Sequence, residues 1–134
     1  MDRAAIRTLL ENAYAARVKR DLDGVMAAFH PGCRFELSVS GENADFGAAC
    51  SGRDAVRNQI GALIEAFDFE DFTITDLIVD GERAVLRWQA LVTARANGQQ
   101  DRFTVVDVMS FADGKIESFE QFTDSAKVAR LAAA

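Results

Sequence analysis

A chain of 134 residues that is 49% hydrophobic and 27% charged, with a single proline, has the composition of one compact globular domain spanning 1–134. Its formal net charge of -6 argues against a role on phosphate backbones, which calls for concentrated Lys and Arg. No stretch is long and apolar enough for a membrane span, and "MDRAAIRTLL" lacks the pattern of a signal peptide, so the expected setting is cytoplasmic, without membrane or nucleic-acid partners.

In chain order, residues 3–19 carry Ile6, Leu9, Leu10, Ala13 and Tyr14 at helical spacing and predict a first helix. The basic run "RVKR" at 17–20 reads as its solvated end, where cations suit the helix dipole. Asp21 offers an N-cap to a second, shorter helix with Leu22, Val25, Met26 and Phe29 on one face, ended by Pro31 and Gly32. "CRFELSV" then alternates Cys33, Phe35, Leu37 and Val39 against polar residues and predicts a half-buried strand, followed by a loop, "SGENADFGAAC". Ser51 and Asp54 resemble a capping box for a third helix whose stripe is Val56, Ile60, Leu63, Ile64 and Phe67.

From residue 69 onward the pattern becomes β, punctuated by "DG" at 80, "NG" at 97 and "DG" at 113, which predicts three turns joining four long antiparallel strands. "DSAKVARL" closes the pattern as a short helix capped by Asp124. Strands this long twist, and a twisted sheet curling around a long helix makes a cone with an interior.

Within "VVDVMSF", Asp107 shares its strand face with Phe103, Val105, Met109 and Phe111. If that face lines the cone, the carboxyl is desolvated, its pKa rises, and it can donate a hydrogen bond to a carbonyl or developing oxyanion. The alternative is a sheet edge or dimer contact where Asp107 pairs with an arginine such as Arg87 or Arg95. On the preceding strand, Trp88, Ala90, Val92 and Ala94 form the apolar set, and the small alanines could leave room for a ligand against Trp88. A filled core containing the tryptophan fits the pattern equally well. Tyr14 lies on the inward side of the first helix and can offer its hydroxyl to a ligand or be a satisfied core residue. His30, the single histidine, precedes Pro31 and reads as a cap or loop residue. Cys33 and Cys50 make no zinc pattern and read as free thiols, and neither a phosphate loop nor a nucleophile elbow is present, so no cofactor or metal is expected.

The stretches "YAARVKRDLDGVMAAFHPGCRFEL", "SGRDAVRNQI" and "FADGKIESFEQFTD", in that order and spacing, resemble the NTF2-like superfamily and, within it, SnoaL-like and ketosteroid-isomerase-related proteins. The resemblance implies an α+β, cone-shaped NTF2-like (cystatin-like) fold, with three helices from the N-terminal half on a strongly curved, mostly antiparallel sheet enclosing a pocket. It also implies a homodimer through the outer sheet face, which carries Arg87, Gln89, Leu91 and Thr93. By comparison with the isomerases, anchored on "DLDG" at 21–24 and the "NG" hairpin, Asp107 falls where those enzymes keep a protonated aspartic acid in the oxyanion hole. Leu37 resembles the general-base position and Ala13 the oxyanion-tyrosine position, with Tyr14 one residue on, so both of those roles are missing. Bringing Glu36 to the base position would expose Phe35 and Leu37. The same analogy turns Phe119, Gln121 and Thr123 toward the pocket and matches Asp124 to an aspartate common in SnoaL-like proteins; Glu117 shares that parity near the turn and could be a second carboxylate, but reads more simply as an exposed strand-end glutamate.

Two readings follow. In the first, the chain is a cofactor-independent isomerase, cyclase or hydratase-type enzyme acting on a small hydrophobic or carbonyl-containing molecule. Asp107, Tyr14 and Gln121 carry the chemistry, while Trp88, Val92, Met109, Phe119, Leu37 and Phe35 hold the ligand; authentic steroid isomerisation is not expected without a base. In the second, it is a noncatalytic binding or dimerisation module.

Overall fold

The computed structural model describes residues 1–38 and 49–133. Helix α1, Arg3–Val18, opens at Asp2, whose side chain accepts from the Ala5 N–H, and it buries Ile6, Leu10, Ala13, Tyr14 and Ala16. Helix α2, Leu22–Met26, is capped by Asp21, which accepts from the Gly24 N–H. It packs so close to α1 that a Cβ on Gly24 would lie 2.8 Å from the Ala16 Cβ and 2.5 Å from Asp21 Oδ2, so glycine alone fits there.

The second helix is shorter than its apolar spacing predicts, because Phe29 already opens strand β1, Phe29–Ser38. Pro31 and Gly32, read as a stop, lie inside that strand. The register shifts between Phe29 and Arg34, so the proline, which has no N–H to give, sits where the ladder lapses. Most of the loop read after this strand, together with Val39, lies outside the described residues.

Strand β2, Cys50–Ser51, pairs antiparallel with β1 and takes Ser51 out of the expected capping box. Helix α3, Arg53–Ala66, starts instead at Gly52 (φ 89) with no side-chain cap, and buries Val56, Ile60, Leu63 and Ile64. Phe67, expected at its end, opens β3.

The meander is as the turn dipeptides predict: β3 Phe67–Asp80, β4 Arg83–Ala94, β5 Gln100–Ala112 and β6 Lys115–Phe122. Asp113 (φ 52) and Gly114 (φ 74) both take the left-handed conformation of a tight hairpin, whereas only the glycine does so at Gly81 (φ 58) and Gly98 (φ 73). Helix α4, Ser125–Ala132, is capped by Asp124, which accepts from the Lys127 N–H.

The six strands among the described residues form one sheet in the order β2-β1-β6-β5-β4-β3, with β1 and β6 parallel, and these strands do not close into a barrel. Curvature has an identifiable source. The β3–β4 register shifts twice, between Glu70 and Thr73 and between Ile74 and Asp76, and Asp71 takes a positive φ of 51. Such bulges bend and twist a strand, and here they fold the sheet over α1. The result is an α+β cone: the four helices of the described residues lie against a curved sheet, with α1 and α3 facing its concave side. Among the described residues, no helix is long and apolar enough to cross a membrane.

Candidate functional site

Asp107 sits in mid-β5, opposite Leu86 on β4 and Gln121 on β6. It has 0% exposure and, among the described residues, is the one charged residue in a core that also takes in Phe103, Val105, Met109 and Phe111 of its own face. Neither arginine proposed as a surface partner reaches it, since Arg87 pairs with Asp76 and Arg95 with Glu65 and Asp68.

Three side chains converge on the carboxyl instead. The Tyr14 hydroxyl, brought across by α1, donates to Oδ2. Trp88 Nε1–H donates to the same oxygen at 2.8 Å, and Gln121 Nε2 donates to Oδ1 at 2.9 Å. Burial pushes the Asp107 carboxyl from 3.8 up to about 6, against the pull of its three donors toward the charged form. Loss of hydration therefore wins, and the group changes charge just below neutrality. Tyr14 is pushed well above 10.0, first by burial and then by the adjacent Asp107, so its hydroxyl keeps its proton at neutral pH.

The cone holds a cavity of about 110 Å³ between α1, α3, α4 and the concave sheet. Its wall is hydrophobic apart from Tyr14, Arg17, Trp88, Gln121 and Thr123. Of the ligand-contacting residues expected from sequence, Phe35, Leu37, Trp88, Val92 and Phe119 line it. Two expected positions do not. Met109 is packed at 1% exposure outside the lining, and Asp107 lies one layer behind it, screened by the Tyr14, Trp88 and Gln121 that it holds. Ala90 and Ala94 are also absent from the wall, so the space comes from the bend of the sheet rather than from small side chains on β4.

Leu37, at the position resembling a general base, is an apolar wall residue, and Glu36 points to the other face opposite Glu120. Glu117 is exposed, because a register shift between β5 and β6 sets Phe111 opposite Ile116 and leaves Glu117 as the extra residue, off the parity of Phe119. His30, which lies in β1 rather than in a loop, accepts from the Gly32 N–H through Nδ1 and meets Asp113 through Nε2, a structural role. Asp124 caps α4.

Arg17 is the residue that the sequence pattern hid. Far from forming a solvated helix end, it lines the cavity, with Nη2 donating to the Leu63 and Phe67 carbonyls. Its position three residues after Tyr14 puts both on one helix face, a spacing that could have flagged it.

The model of the SnoaL-like domain matches residues 10–119. The chain belongs to the SnoaL-like domain family. Solved structures agree with this domain over nearly its whole length. An NTF2-like protein of unknown function from Burkholderia pseudomallei K96243 is 28% identical, with 100% of both chains covered and a TM-score of 0.84. TerC, crystallised with polyporic acid, is 17% identical over 97% of this chain and 99% of its own, with a TM-score of 0.83. A candidate SnoaL-like polyketide cyclase from Jannaschia sp. CCS1 is 16% identical over 100% and 99%, with a TM-score of 0.79. No functionally curated protein matches the SnoaL-like domain described here.

Proposed function

We propose that the cavity binds a small, mostly hydrophobic ring compound bearing a carbonyl or hydroxyl oxygen. Tyr14 and Gln121 meet that oxygen or its neighbouring carbon, and Asp107 behind them is the proton acceptor of cofactor-independent isomerase, cyclase or hydratase-type chemistry. The observation that supports this most is the buried carboxyl near pKa 6 whose three donors all belong to the cavity wall. A ligand of TerC in the same fold adds to it.

The geometry suggests how the absent base is replaced. Tyr14 takes a proton from the bound substrate on its oxygen while passing its own hydroxyl proton to Asp107 Oδ2, leaving a substrate anion, a neutral tyrosine and a neutral acid. Reversal returns the proton to a different substrate atom, which is an isomerisation. An acceptor with a pKa near 6 suits such transfer at neutral pH.

Trp88, the sole tryptophan, reports occupancy. Titration with cyclohexenone is expected to change its fluorescence saturably, and deuterium is expected to enter the ring positions next to the carbonyl faster than in buffer. If neither occurs with this or related ring ketones and phenols, the reading fails. One observation favours the second reading, a noncatalytic binding module: all three donors are already committed to Asp107. Saturable binding without deuterium exchange would select it.

A further inference from the structure

We propose that Arg17 anchors an anionic group of the cavity ligand, so that the preferred ligand is a ring carboxylate carrying a hydroxyl or carbonyl at its other end. This rests on the cavity being a ligand site and adds the chemical class of its occupant.

Among the described residues no carboxylate touches Arg17, and Asp68 acts on its charge only from a distance. The carboxylates at that end of α3 pair with other arginines: Asp68 with Arg20 at 3.0 Å and Arg95 at 3.6 Å, and Glu65 with the same two arginines at 3.4 Å each. Among the described residues, Arg17 forms no ion pair, and Nη1 is buried with no hydrogen-bond partner. What holds the side chain is neutral: Nη2 reaches the Leu63 and Phe67 carbonyls at 3.2 and 3.0 Å, and the guanidinium carbon stands 3.9 Å over the Phe69 ring. The carbonyl end of α3 and the ring face each favour positive charge but neutralise none of it.

Leaving a buried cationic N–H unsatisfied is costly, and beside a cavity such a group can be satisfied by an acceptor on the ligand. Burial lowers the Arg17 pKa to about 10, which still leaves it charged at neutral pH. Because its desolvation is borne in the ligand-free protein, an incoming carboxylate faces only its own. Tyr14 and Arg17 stand about one helical turn apart on α1, with Cβ atoms separated by about 5–6 Å, which suits a single ring with polar groups at opposite ends.

The test compares para-hydroxybenzoate with para-hydroxybenzamide by calorimetric titration of the wild type and of Arg17→Met. The wild type is expected to bind the acid at least about tenfold more tightly than the amide, as a charge-assisted pair would give. In Arg17→Met that preference should fall to within about twofold. Because Arg17 also ties the end of α3, the variant counts only if its circular dichroism is that of the wild type; the wild-type pair decides without it. Equal binding of acid and amide by the wild type would overturn the anchor and leave the cavity reading standing, whereas binding of neither would overturn both.

Discussion

Asp107→Asn is expected to gain stability relative to the wild type as pH rises, by about 3 kcal/mol between about pH 3 and about pH 8. The folded-state carboxyl has its pKa at about 6 against 3.8 for an ordinary aspartate. Below the lower value both folded and unfolded chains hold the proton, and Asp107 costs nothing. Between the two values the folded chain keeps a proton that the unfolded chain releases, so wild-type stability falls with rising pH, and above about 6 the whole cost of a buried charge is present. Asparagine removes that charge but not the acceptor. Its carbonyl can take the Tyr14 and Trp88 bonds, and Gln121 can turn its amide to accept from the new NH₂. Every other titrating group is shared, so the difference between urea unfolding free energies of the two proteins isolates Asp107. A difference that does not change with pH would contradict the charge change.

Tyr14→Phe is expected to slow deuterium exchange into a bound ring ketone by about 100-fold or more, the usual worth of a positioned proton-transfer group. The substitution keeps the ring that stacks on Phe72 at 5.2 Å and removes only the oxygen through which a proton passes to Asp107. It also removes a donor that lowers the Asp107 pKa, so the residual exchange should reach its half-maximal rate at higher pH than in the wild type. Exchange at the wild-type rate in the variant would mean that the proton reaches its acceptor by another path.

The features legible in the sequence were those fixed locally. Turn dipeptides at 80, 97 and 113 placed the meander because a glycine with positive φ is a property of the turn itself. The alternation around Asp107 was legible for the same reason, since a strand's two faces follow from parity. What escaped depends on segments far apart in the chain. Strand β1 begins at Phe29 because β6 arrives beside it, more than eighty residues on, and this parallel pairing overrides the stop signal of Pro31 and Gly32. Glu117 left its expected face through a bulge that no composition announces. Arg17 turned inward because the end of α3 offers it carbonyls across the fold. Parity places Asp107 on an apolar face but leaves its depth open: only the meeting of α1, β4 and β6 shows that Tyr14, Trp88 and Gln121 stand between it and the cavity.

At the centre of the proposed chemistry is a carboxyl that is buried, held by three wall residues and able to change charge near neutrality. Its most direct measurement is a carbon NMR titration of the Asp107 side chain in protein labelled at aspartate, with and without a ring ketone. The midpoint is expected at about 6, moving when the cavity fills. A midpoint at the ordinary 3.8, indifferent to the ligand, would contradict it.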